Sequence, residues 1–125
     1  KTKGKKSFSP SFIKPKKENI PSKFYQFIHE SLYRVTQPGG TAPLLQNTKV
    51  DIAAKTGTAE DVPDIHGKPT QDLWLAGFAP YQKPEIAVLV MFEKSSLEFG
   101  GDLSPIFRDG ILYYFENKNN IIGVR

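Results

Sequence analysis

Leu73-Trp74-Leu75-Ala76-Gly77-Phe78-Ala79-Pro80-Tyr81-Gln82-Lys83-Pro84-Glu85-Ile86-Ala87-Val88-Leu89-Val90-Met91-Phe92-Glu93 is the stretch on which the fold turns. Two apolar runs, residues 73–79 and 85–93, flank a short connection bounded by Pro80 and Pro84. Runs of this length, rich in Val, Leu, Phe and Trp and separated by turn residues, predict two strands of an antiparallel hairpin. Ala87-Val88-Leu89-Val90 is apolar at successive positions, which is expected of strands covered on both faces. The longest purely apolar run, Ile86 to Phe92, has seven residues. A membrane-spanning helix needs about 20, so this run is a strand and not a span.

Upstream of the hairpin, Val50, Ile52 and Ala54 alternate with Asp51, Ala53 and Lys55, which predicts a third strand from Lys49 onward. Residues 60–70 carry Asp61, Pro63, Asp64, Gly67 and Pro69 and read as a polar loop. A helix is predicted on each side. In the first, Phe24, Phe27, Ile28, Leu32 and Val35 recur at helical spacing, with Pro21 and Ser22 suited to its first turn and Gln37-Pro38-Gly39-Gly40 ending it. In the second, Ser104 is the expected cap and Pro105 the start. Ile106, Phe107, Ile111, Tyr114 and Phe115 form its stripe, which ends near Asn117–Asn120. The order helix, three antiparallel strands, helix is an α+β layer arrangement. Two helices have little to cover both faces of such a sheet with.

The chain has 125 residues, 38% hydrophobic and 24% charged, which suits one modest globular domain. Its net charge of +4 is unevenly spread. Residues 1–23 hold eight Lys and one Glu, a balance of +7, and the remaining nine Lys or Arg and twelve Asp or Glu give −3. Residues 1–20 therefore read as a basic, irregular arm and residues 21–125 as the ordered body. Such an arm suits nucleic acid or an anionic surface, but it carries only two aromatics, Phe8 and Phe12, and reads better as a solvated segment. The opening Lys-Thr-Lys-Gly-Lys-Lys has no apolar stretch after it, unlike a signal peptide. Cysteine is absent, which rules out disulfides and thiolate chemistry in these residues.

Chemistry concentrates in Lys55-Thr56-Gly57-Thr58-Ala59-Glu60, expected at the end of the first strand. A cation and two hydroxyls suit a carboxylate or another anion. A glycine lets a ligand backbone lie close to the strand, where an extended peptide can pair with it. A phosphate loop is excluded, because its glycines would fall on Lys49 and Ala54. His29 falls off the apolar stripe of the first helix and reads as solvated. His66, with Asp61 and Asp64, reads as loop polarity and not as a metal site. Asp102 and Glu98 read as capping or surface acids, and Trp74 as core or cleft packing. Neither a metal nor a cofactor is expected.

The Lys-Thr-Gly segment resembles the third active-site motif of penicillin-binding proteins and serine β-lactamases. Pro38-Gly39-Gly40-Thr41-Ala42, Ala53–Glu60, Trp74–Tyr81, Pro84–Val88, and Gly100-Gly101 before Pro105-Ile106-Phe107 follow in an order and spacing similar to the C-terminal part of a class B penicillin-binding protein. The likeness covers roughly residues 20–118. Gly-Gly-Thr-Ala and Phe-Ala-Pro-Tyr look more like the cell-elongation group than the septal one. The resemblance implies a partial transpeptidase fold and, for the parent protein, a D,D-transpeptidase that cross-links stem peptides ending in D-Ala-D-Ala and is acylated by β-lactams. It implies that Lys55 supplies positive charge to the substrate carboxylate, that the Thr56 and Thr58 hydroxyls bind that carboxylate, that Gly57 gives the peptide room, and that the Thr58 N–H serves the oxyanion hole. It also implies a membrane-anchored parent on the outer side of the bacterial inner membrane, with no nucleic-acid partner.

The family's other two motifs are not matched. No Ser-x-Asn occurs. Ser11-Phe12-Ile13-Lys14 spells Ser-x-x-Lys, but Pro15 disfavours a helix through Lys14 and the segment lies too near Lys55 in sequence. The chain is therefore expected to be a C-terminal fragment that is inactive alone and partners the remainder of its parent. A different class remains open: a small non-enzymatic module whose basic arm binds nucleic acid or an anionic surface, which a steep salt dependence of binding would reveal.

Overall fold

The structure is a computed structural model that describes residues 21–122. The basic arm, including Ser11 and Lys14, lies outside the described residues. Helix α1 spans Ser22–Arg34 and a short 3-10 turn covers Pro43–Leu45. Strands β1 (Ala53–Asp61), β2 (Thr70–Ala79) and β3 (Ile86–Ser95) follow. A second 3-10 turn, Gly100–Leu103, runs directly into helix α2, Ser104–Ile122. The sheet order is β1-β2-β3 and both pairings are antiparallel, so the α+β arrangement expected from the sequence is the one observed.

The register sorts side chains onto two faces, because directly opposed residues share a face. One face carries Thr56, Leu75 and Val90 in a row, with Ala54, Gly77 and Val88 beside it. This face meets α2: Leu73, Leu75, Leu103, Phe107 and Ile111 are all fully buried together, with Ile86, Val88, Val90 and Phe115 packed around them. Burying side chains of this size contributes about 1.5–3 kcal/mol each, and that term holds α2 to the sheet. The other face carries Lys55, Gly57, Trp74, Ala76, Phe78, Leu89 and Met91.

Several expectations change. The sheet is not covered on both faces among the described residues: Leu89 is 64% exposed and Met91 48%. Strand β1 begins at Ala53 and not at Lys49, and it runs through the motif to Asp61 instead of ending there. The cause lies in the two carbonyls before it. Asp51 O accepts the Tyr81 N–H at 2.8 Å, and Ile52 O lies 2.8 Å from the buried Thr36 hydroxyl, so neither joins a strand ladder. Strand β2 starts at Thr70, within the stretch read as loop. Ser104 does not cap α2; its hydroxyl donates backward to Gly101 O at 2.6 Å. Asp102 caps the preceding 3-10 turn and not α2: its carboxylate accepts the N–H groups of Glu98 and Phe99, both at 3.2 Å. On α2, Ile106 is 53% exposed while Phe107 is buried, so the stripe is narrower than its apolar residues suggest.

Helix α1 packs by a different face from the one its apolar residues mark. Phe24, Phe27 and Ile28 are exposed. His29 is half-buried, with its ring 4.8 Å from Phe78 and 4.8 Å from Tyr81, and Tyr33 stacks on Tyr81 at 4.2 Å. The reading of His29 as solvated is thus overturned: it is the middle of an aromatic row that ties α1 to the turn after β2.

Candidate active site

The site is built on β1, whose far edge has no strand partner among the described residues. Its geometry follows from alternation along the strand. Lys55 and Gly57 point to the open face, opposite Ala76 and Trp74 of β2. Thr56 and Thr58 point to the α2 face, opposite Leu75 and Leu73. The motif therefore divides its cation and its hydroxyls between the two sides of the strand, and a ligand must lie along the edge to reach both.

Gly57 is held in a slot. On the open face, an added Cβ would fall on the Trp74 indole. On the other face, the Gly100–Leu103 turn presses against the same pair of strands: a Cβ on Gly100 would sit 2.6 Å from both Gly57 O and Trp74 O. Both positions thus need glycine for room, and neither for an unusual backbone angle. Trp74 is half-buried, in keeping with a packing role.

Each hydroxyl of the motif has a partner from a different loop. Thr56 Oγ1 and Thr41 Oγ1 are 2.8 Å apart. Thr58 Oγ1 accepts the Gly100 N–H at 3.1 Å. Lys55 is exposed, and its Nζ donates to Thr56 O at 2.6 Å. Among the described residues no carboxylate forms an ion pair with it. The structure thus brings Lys55, Thr56, Gly57 and Thr58 into one strip, exposed at Lys55 and Thr58 and half-buried between them, with a cation, two hydrogen-bonded hydroxyls and backbone room. His66 lies apart in the exposed β1–β2 loop, where the Asp64 carboxylate accepts the His66 and Lys68 N–H groups.

Sequence reasoning missed Thr41 and the Gly100 N–H as neighbours of the motif. They lie 15 and 42 residues from their hydroxyl partners. The clue available was Gly-Gly before Thr41 and again at Gly100-Gly101, since paired glycines mark close backbone approach.

Comparison with known proteins places the chain in a family. Residues 3–111 match the family model described as the penicillin binding protein transpeptidase domain. The chain is 28% identical over 125 residues to a probable peptidoglycan D,D-transpeptidase, PenA, of Neisseria flavescens, covering 94% of this chain and 30% of that protein. It is 31% identical over 111 residues to penicillin-binding protein 2A of Bacillus subtilis (strain 168), covering 82% of this chain and 16% of that protein. The match to the family model takes in most of the chain, which therefore belongs to the penicillin-binding protein transpeptidase domain family. It spans less than a third of the length of either relative.

Proposed function

We propose that this chain is the C-terminal portion of the transpeptidase domain of a class B penicillin-binding protein, with features closer to the elongation group. It supplies the Lys-Thr-Gly-Thr wall of a D,D-transpeptidase site. The observation that carries this reading is the Gly57 slot: a strand kept bare of side chain at one point, beside a cation with no carboxylate partner among the described residues and two hydrogen-bonded hydroxyls, along an edge with no strand partner among those residues.

In this reading a stem peptide ending in D-Ala-D-Ala lies along β1. Lys55 and the Thr56 and Thr58 hydroxyls take its terminal carboxylate. A serine from the rest of the parent adds through Oγ to the penultimate D-Ala carbonyl, and the Thr58 N–H helps to hold the oxyanion. The C–N bond breaks, D-Ala leaves with the proton on its amine, and an ester remains. The amine of a second stem then displaces the serine, which recovers its proton. A β-lactam forms the same ester by opening its ring. The parent acts at the cell envelope, outside the inner membrane, on peptidoglycan. No helix among the described residues is long and apolar enough to cross a membrane.

The test is Lys55→Ala in the complete parent, followed with a fluorescent penicillin. Removing a preorganised electrostatic contact is expected to slow acylation about 10²-fold or more with the fold intact. A near-normal rate in a folded variant removes Lys55 from the site. The chain alone, incubated with labelled penicillin, is expected to show no adduct by mass spectrometry. An adduct at Ser11 would overturn the fragment reading.

A further inference from the structure

We infer that Thr41, from the loop after α1, is a positioning residue that turns the Thr56 hydroxyl into a donor toward the carboxylate bound at the β1 edge. The inference rests on the proposed function above and assigns a role outside the Lys-Thr-Gly-Thr motif. A hydroxyl has one proton and two lone pairs, so what it accepts decides where its proton can go. Thr58 shows the principle. Its Oγ1 accepts the Gly100 N–H at 3.1 Å, and a backbone N–H can only donate. The Thr58 proton is therefore left for an acceptor other than Gly100.

Thr56 has the same need and a different partner. Its Oγ1 is 2.8 Å from Thr41 Oγ1, and either hydroxyl is able to donate in the isolated pair. A carboxylate at the strand edge removes that ambiguity. It accepts only, so Thr56 must donate to it, and Thr41 must then donate to Thr56. The chain Thr41–Thr56–carboxylate runs one way, and each bond polarises the next.

The position of Thr41 is itself fixed. Gly101 lies so close to Thr41 O that an added Cβ would overlap it, and the next residue, Ala42, is fully buried in the core. The turn Gly100–Leu103 thus touches both halves of the device: Gly100 gives Thr58 its donor, and Gly101 seats the loop that gives Thr56 its donor.

The experiment uses the complete parent and two ligands, a penicillin with a free carboxylate and its methyl ester, with Thr41→Val and Thr41→Ser as variants. The second-order acylation rate is read for each. Wild type is expected to prefer the carboxylate strongly. Thr41→Val, nearly the same shape without a donor, is expected to lose about 10-fold on the carboxylate and little on the ester, as for loss of a hydrogen bond coupled to a charge. Thr41→Ser is expected to restore the rate. An equal loss on both ligands, or no loss on either, overturns the role of Thr41. If wild type itself does not distinguish the ligands, the carboxylate-site reading fails, and the inference with it. Thermal midpoints of the variants should match wild type; a Thr41→Val protein that is unstable where Thr41→Ser is not marks a structural role and also overturns the proposal.

Discussion

At Gly57 the reason for a single residue type can be stated in atoms. The Trp74 indole occupies the place of a Cβ on one side and the Gly100 backbone closes the other. Gly57→Ala is therefore expected to destabilise the parent by roughly 1–3 kcal/mol through overpacking, and to slow acylation as the strand shifts. Calorimetry with and without a Trp74→Ala background checks the cause. If the indole is responsible, the double variant recovers part of the loss, because residues in contact do not contribute additively. Thr56 and Thr58 differ from Gly57 in kind: they are tied by hydrogen bonds, to the Thr41 hydroxyl and the Gly100 N–H, and not by a lack of room. Beyond the paired glycines that mark a close backbone approach, the sequence does not reveal the partners of the two hydroxyls. Spacing along a strand shows which residues share a face, and says nothing of a loop that returns from 15 or 42 residues away.

At the scale of elements, α2 is bound to the sheet by Phe107 and Ile111, while Ile106 beside them is half out of the packing. Phe107→Ala is expected to cost about 3–5 kcal/mol and Ile106→Ala well under half of that. Denaturant midpoints of the two variants in the parent would show the difference. Equal effects would mean that Ile106 is covered in the parent by something beyond these residues. The same pair shows how far periodicity reaches: it marks both residues as apolar, but neighbours decide which is buried. The hairpin read correctly because turn residues and apolar runs agreed. The start of β1 misled because Val50 and Ile52 are apolar for another reason: Ile52 is buried in the core and Val50 packs beside it, while the carbonyls of Asp51 and Ile52 face Tyr81 and Thr36. His29 misled because its ring packs by stacking, which hydropathy does not register.

For the whole molecule, the sheet has two edges without strand partners among the described residues, and they differ in character. The β1 edge carries Lys55, Glu60 and Asp61. The β3 edge runs Ile86-Ala87-Val88-Leu89-Val90-Met91-Phe92 before its first charge at Glu93. A long apolar edge invites pairing with another chain, and charge on an edge discourages it. The chain alone is therefore expected to associate through residues 85–93. Sedimentation velocity over a range of concentrations tests this. Leu89→Lys should restore a monomer at little cost to the core, since Leu89 is 64% exposed. A wild-type chain that stays monomeric throughout would show that this edge is already protected within the 125 residues.

The slot around Gly57 also limits the routes by which selection can alter this wall. Any side chain at Gly57 displaces the indole, and any at Gly100 displaces two carbonyls. Both positions are closed to stepwise change unless a second mutation comes first. Ala59, exposed and next along the same face, has no such constraint. Under pressure from an inhibitor, variation in a saturated mutant library should be purged at Gly57 and Gly100 and should accumulate at Ala59. Escape would then proceed along the rim of the strand while its centre stays invariant.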